Sequence, residues 1–308
     1  MSHNHERELP GDGAMDLRLW ASAALNGAIT LAEFLGGLFS GSLALLSDAA
    51  HNLSDVAAVV LALWARRFSR RPPTTRHTYG FKRAEVLAAL INAMVLIAIT
   101  VLIARESLVR LFHPEPVQQG LMLAVALVAL FANVGSVLLL RHHDKDDVNV
   151  RSAFLHMAQD ALASLAVVIA ALLAHTRVGP WVDPAAALIV GVAVLRSALS
   201  LVWETLSTLL EGAPLDADLT AMAADVARAF PSVALHHVHL WQNGPGQRLL
   251  TAHVTVDGNL DGAAIEALFT KIKEFLHENW AVTHATLEPE VAGCGETALL
   301  GRWEEREE

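Results

Sequence analysis

The sequence predicts an α-helical membrane protein, a six-transmembrane-helix bundle followed by a small cytosolic α+β domain of order α-β-β-α-β. Three observations lead there. The 308 residues are 54% hydrophobic with a mean hydropathy of +0.41, an apolar excess rare in a soluble chain of this length. Apolar runs of about 20 residues, enough to cross a bilayer at 1.5 Å per residue, recur as far as about residue 205. After "LLEGAP" (209–214) the texture changes to amphipathic helices and alternating strands.

Taken in order, residues 1–16 read as a disordered cytosolic N-terminus. The opening "MSHNHERELPGDG" lacks the charged-then-apolar pattern of a signal peptide, so the first apolar run is expected to stay as an anchor, and His3 and His5 read as part of a loose end. The transmembrane domain, 17–208, holds spans near 17–39, 42–65, 82–104, 119–140, 150–174 and 184–206. The loop after the second span carries Arg66, Arg67, Arg70, Arg71, Arg76, Lys82 and Arg83, and the loop after the fourth reads "RHHDKDDVNVR". The other three loops are poor in Lys and Arg. The basic loops therefore face the cytosol, and both termini with them. In the 209–292 domain, "DADLTAMAADVARAFPSV" and "DGAAIEALFTKIKEFLHENW" have helical periodicity, whereas "ALHHVHLWQ", "RLLTAHVTVDG" and "VTHATLEPEV" alternate as strands. Helices on an antiparallel sheet are the expected packing. Residues 293–308 form an acidic tail.

Composition also excludes. A single cysteine, Cys294, rules out an intramolecular disulfide and any multi-thiolate metal site within one chain. The net charge of −10 and the lack of a broad basic face argue against nucleic acid as a partner. No Walker A sequence is present to drive anything with ATP.

The chemistry sits in the apolar runs. The second span contains "AHNLSDVAA" with His51 and Asp55, and the fifth contains "FLHMAQDALAS" with His156 and Asp160. Spacing of i, i+4 puts each pair on one helical face, about 6 Å apart along the axis. A charge near the bilayer centre costs about 2.5–3.5 kcal/mol on insertion scales, so such groups need partners or a ligand. Two imidazoles and two carboxylates make a tetrahedral set for a divalent ion, zinc being the natural occupant. Asp55 lies about 15 Å, and His156 to Asp160 about 9–15 Å, from the cytosolic ends of their spans, which puts both motifs near the midplane. The rival reading is two interhelix hydrogen bonds, and the repeat of the motif at matching depth favours the metal. Asp48, three residues before His51, reads either as an accessory carboxylate on the exit path or as a helix-end carboxylate bonded to Ser47 or a neighbouring span. Glu85, Asn92 and Asn133 read as helix-packing groups.

Together "SLALLSDAAHNLSD", "TYGFKRAEVLAALINA", "NVRSAFLHMAQDALAS", "VDPAAALIVG" and "LLEGAP" resemble the cation diffusion facilitators, in particular their zinc-transporting branch, over about 17–292. The resemblance implies a metallochaperone-like cytosolic domain, a homodimer in a lipid bilayer, and export of zinc from the cytosol in exchange for protons. It implies no enzymatic activity and no organic cofactor, with zinc as transported substrate and as a regulatory ligand. His51, Asp55, His156 and Asp160 fall on the family's transport-site positions. Some relatives carry Asp in place of the first histidine and accept cadmium more readily, so His51 leans toward zinc. Of a second site that some relatives build in the loop between spans two and three, His77 matches one position, but Thr74 and Phe81 stand where ligands belong, and the site is expected to be missing. The histidine-rich loop of many relatives is reduced here to His142, His143 and Asp144, which read as part of a solvated charged loop. His236, His253 and His284 match metal-binding positions in the cytosolic domain of relatives, with Glu290 a further candidate; exposed or core histidine is the other reading. Strand alternation sends His237 and His239 to one face and His236 to the other. The alternatives are an exporter of cobalt, nickel, cadmium, manganese or iron with the same fold, and an integral-membrane metalloenzyme such as a di-iron oxidase. Missing presequence and compact loops suggest a bacterial inner membrane.

Overall fold

The computed structural model describes residues 12–140, 148–291 and 298–300, with side chains left aside at 12–25, 136, 139, 140, 148–153, 155 and 156. The expected acidic tail apart from 298–300, and His142, His143, Asp144, His3, His5 and Cys294, lie outside the described residues. The chain divides into two units, Met1–Val60 with Asn92–Ser200, and Leu61–Ile91 with Leu201–Glu308.

Six long helices lead the chain: α1 (Asp12–Ser40), α2 (Leu43–Ser69), α3 (Arg83–Phe112), α4 (Gln119–Leu140), α5 (Val148–Leu173) and α6 (Gly179–Leu209). Two of them, α3 and α6, are long and apolar enough to cross a bilayer on length and composition alone, and the apolar stretches described in α4 and α5, Gln119–Gly135 and Met157–Leu173, are shorter. In α2 the apolar run is interrupted by Asp48, His51 and Asp55.

Within the first unit, α1 is built inside out. Among its described side chains the buried positions are Ile29, Thr30, Glu33, Gly36, Gly37 and Ser40, a helical face of mainly small and polar character, while Leu31, Phe34, Leu35, Leu38 and Phe39 are exposed. Exposed large apolar side chains recur on every one of the six helices, for example Val59, Ile91, Phe131, Leu162 and Ile189. Water would not leave so much apolar surface uncovered, whereas lipid covers it at no cost. Inside, backbones approach closely where side chains are small. A Cβ on Gly36 would come within 2.8 Å of Val125 on α4, and one on Gly37 within 2.8 Å of Leu46 on α2.

Polar bonds join the helices. Asp183 at the start of α6 accepts from the Ser42 hydroxyl (2.5 Å) and from the backbone N–H of Leu43 (2.8 Å) and Ala44 (3.3 Å), capping α2 with a carboxylate from another helix. The three expected packing groups all bond across helices. Asn92 donates to the Ser54 hydroxyl (2.9 Å) and carbonyl (3.1 Å), Asn133 to Ser164 (3.0 Å), and Glu85 accepts from Ser69 (2.6 Å).

The second unit adds α7 (Leu219–Ala229), β1 (Ala234–Gly244), β2 (Gln247–Thr255), α8 (Gly262–Trp280) and β3 (Val282–Glu290), the expected order. Asp218 and Asp261 cap the two helices, accepting from Thr220 and Ala221 and from Ala264. Apolar faces of both helices (Met222, Val226, Ile272, Leu276) close on Val238, Leu240, Leu250, Val254 and Val282 of the sheet. The sheet order is β1-β2-β3, but it is mixed where an antiparallel sheet was expected: β1 pairs antiparallel with β2, and β2 parallel with β3. The cause is the connection. A tight hairpin reverses β1 into β2, whereas α8 carries the chain back to the starting end, so β3 runs the same way as β2.

Candidate metal centre

On α2, His51 and Asp55 follow one another by one turn, and the ring Nε2 lies 3.8 Å from the Asp55 carboxylate. The same Nε2 lies 3.3 Å from a carboxylate oxygen of Asp160 on α5. One ligand atom from each of His51, Asp55 and Asp160 falls within 4.8 Å of the others, the spread that a single divalent ion can bridge. Asp160 is buried, and His51 and Asp55 are partly so. Residues more than a hundred positions apart meet because α5 presents Asp160, Ser164, Val167 and Ala171 along one buried face, and α2 presents Leu45, Asp48 and Asn52 along another. His156 is on α5, but its side chain lies outside the described residues.

Around these three runs a polar shell. Asp48 is only 1% exposed and accepts from Ser164 (3.1 Å), which itself accepts from Asn133 (3.0 Å). Its partner is thus on the fifth long helix, not Ser47. Asn52, next to His51, donates to Glu33 on α1 (2.8 Å), and Glu33 is fully buried. Glu33 escapes a sequence reading centred on His-x-x-x-Asp. The signal that finds it is a lone carboxylate amid Thr30, Gly36, Gly37 and Ser40, a stripe of small residues at helical spacing.

A second cluster forms on the three-stranded sheet. His236 and His253 face each other across β1 and β2, and Glu290 reaches both: its carboxylate lies 2.9 Å from His236 Nε2 and 2.7 Å from His253 Nδ1. These three also supply ligand atoms within 4.8 Å of one another. His284 is not brought into the group; it is exposed and stands opposite Leu249 in register. His237 departs from the expected alternation. A bulge between His236 and His239 gives it a left-handed backbone (φ 49°), and its ring comes within 4.7 Å of His253 and 5.5 Å of His236. The bulge is held from outside the hairpin: the N–H of Val238 donates to the carbonyl of Leu299 (2.8 Å). No local sequence pattern announces such an irregularity.

In the loop between α2 and α3, His77 packs on Phe81 with ring centres 4.6 Å apart. Thr74 and His77 exchange backbone hydrogen bonds of 3.1 Å, so this histidine closes a turn.

Residues 19–210 match the cation efflux transmembrane domain, and residues 215–291 match the cytoplasmic domain of cation efflux proteins. The chain is 40% identical to the zinc transporter ZitB of Escherichia coli (strain K12), over 96% of this chain and 94% of that one. It is 34% identical to the metal cation efflux system protein CzcD of Cupriavidus metallidurans, over 96% and 92% respectively. With the cadmium, cobalt and zinc/H(+)-K(+) antiporter of Bacillus velezensis it shares 33% identity over 95% and 93%. These relatives are transporters rather than enzymes, and both parts of the chain match the same family. The chain belongs to the cation efflux family of membrane transporters, the cation diffusion facilitators.

Proposed function

We propose that this protein exports a divalent metal ion, zinc above all, from the cytosol in exchange for protons, through a site formed by His51, Asp55, His156 and Asp160. The observation that carries the reading is the convergence of His51, Asp55 and Asp160 from two distant helices to within 4.8 Å. The relatives named for zinc, and the one named as a cadmium, cobalt and zinc/H(+)-K(+) antiporter, support a divalent cargo that includes zinc and an exchange that includes protons. Two carboxylates match the charge of a divalent ion, so the loaded site is neutral overall, as a low-dielectric interior demands. Protons and metal compete for these same ligands, because imidazole and carboxylate bind metal only when deprotonated. Histidine changes charge near neutral pH, which lets a proton displace the ion on the side where protons are plentiful.

In this reading α1 to α6 are six spans within 17–208, both termini are cytosolic, and the 209–292 domain lies in the cytosol of a homodimer in a bacterial inner membrane. His236, His253 and Glu290 hold a regulatory ion in that domain, and His284 stands apart from them. The two imidazoles argue against manganese, which favours oxygen ligands. The test is zinc uptake into proteoliposomes with and without an imposed pH gradient. Wild type should show gradient-dependent flux that the His156→Ala, Asp160→Ala double variant lacks. Zinc binding without flux would refute the carrier reading.

A further inference from the structure

The two most deeply buried carboxylates of the first unit play no part in the three-residue cluster. Glu33 is 0% exposed and Asp48 1% exposed, on α1 and α2. Each spends one oxygen on a neutral donor, Glu33 on Asn52 (2.8 Å) and Asp48 on Ser164 (3.1 Å). Their other oxygens, Glu33 Oε1 and Asp48 Oδ1, are buried and accept no hydrogen bond. Asn52, which bonds Glu33, stands four residues after Asp48 on the same face of α2, so the two carboxylates are neighbours. Neither forms an ion pair with Lys or Arg among the described residues. Two neighbouring carboxylates in an apolar bundle, with His51 the basic group nearest Asp48 in sequence, are costly unless a proton or a cation joins them.

We propose that Glu33 and Asp48 form a second, weaker cation station, one helical turn from the His51–Asp55–Asp160 cluster, through which the transported ion leaves. The inference rests on the transport reading above and adds a step to it. Asp48 precedes His51 by three residues, about 4.5 Å along the helix. In the orientation given by the basic loops, that step leads outward. The donor set is all oxygen: two carboxylates, with the Asn52 amide and Ser164 hydroxyl beside them. Such a set binds zinc less tightly than one containing imidazole, which suits a point of release. Asn52 and Ser164 tie the station to the first cluster, being the neighbour of His51 and the residue one turn beyond Asp160. A station that binds weakly next to one that binds tightly divides one large step in affinity into two smaller ones.

The experiment is equilibrium zinc binding to the full chain in lipid nanodiscs, in a His236→Ala, His253→Ala parent that removes the sheet cluster. The parent should bind two zinc ions per chain, one tight and one weak. Glu33→Gln, which keeps an acceptor for Asn52, should lose the weak ion and retain the tight one, and Asp48→Asn should do the same. In flux assays Glu33→Gln should lower kcat by about tenfold with KM changed less than about twofold, since loading is untouched. A single zinc per parent chain, or two retained in both variants, would overturn the station and leave a carboxyl pair sharing a proton. Asp55→Ala separates the two readings: it should lose the tight ion and keep the weak one. If it keeps both, the first cluster is not the transport site, whatever Glu33→Gln shows.

Discussion

Removing the Asp183 carboxylate should unfasten the first turn of α2. Three donors converge on it: the Ser42 hydroxyl at 2.5 Å, Leu43 N–H at 2.8 Å and Ala44 N–H at 3.3 Å, with Asp183 itself 2% exposed. In Asp183→Ala the donors stay buried without an acceptor. Each such loss costs about 1–3 kcal/mol, the 3.3 Å bond least, and the hydroxyl can turn toward a carbonyl, which leaves about 4 kcal/mol for the turn. At 1.36 kcal/mol per factor of ten, amide exchange at residues 43–45 should accelerate about a thousandfold. Hydrogen exchange with mass spectrometry on the protein in nanodiscs reads this directly, with peptides from α4 as the internal control. Asp183→Asn, which keeps one acceptor, should show about half the loss on the free-energy scale. Exchange within about threefold of wild type at residues 43–45, or equal acceleration in α4, would refute the capping argument. Flux should fall as well, because His51 is only about 12 Å further along the same rod.

Other outcomes follow from the same geometry. Asp55→Ala should abolish zinc flux in proteoliposomes while the protein remains membrane-inserted and monodisperse; retained flux would remove Asp55 from the site. His253→Ala should abolish zinc protection of the 209–292 region in hydrogen exchange, since Glu290 then holds one imidazole instead of two. Gly36→Leu should lower the thermal midpoint of the detergent-solubilised protein, by about 1–3 kcal/mol of overpacking against Val125. The Arg248 guanidinium bonded to Asp216 holds that carboxyl below its usual range. The pair therefore stabilises above the unfolded carboxylate value, about 3.9, and its contribution fades as pH falls through the lower folded value. Asp216→Asn should cost less than about 1 kcal/mol at pH 7, as Asp216 is largely exposed, and progressively less by thermal unfolding as pH falls below the unfolded value.

Helix positions were legible because lipid imposes long apolar runs, and the α-β-β-α-β order because periodicity switches between helix and strand. The proximity of His51 and Asp55 needed only the i, i+4 rule. That Asp160 would join them followed from motif repetition and matched depth. Glu33 was not legible in this way, since nothing in its own helix says which face α2 will meet. Nor was His237, whose ring is redirected by a bulge that depends on pairing with residues 298–299, far along the chain. The mixed sheet was missed because strand patterns carry no direction; only the 19-residue α8 between β2 and β3 holds that information.

The inside-out character of α1 bears on how this protein can change over generations. With lipid outside, apolar side chains give the helices no reason to associate, and adhesion falls to close-packed glycines and a few polar bonds. Several of those bonds, Asn52 to Glu33, Asn133 to Ser164 and Ser164 to Asp48, lie beside the His51–Asp55–Asp160 cluster itself. The mortar of the bundle and the lining of its site are therefore partly the same atoms. Within the proposed site His51 joins helices as well, its Nε2 lying 3.3 Å from Asp160 on α5. Substitutions at His51, Asn52, Asp48 or Ser164 would therefore alter the proposed site and the cohesion of the bundle together, and a lineage that redraws the door must repair the wall.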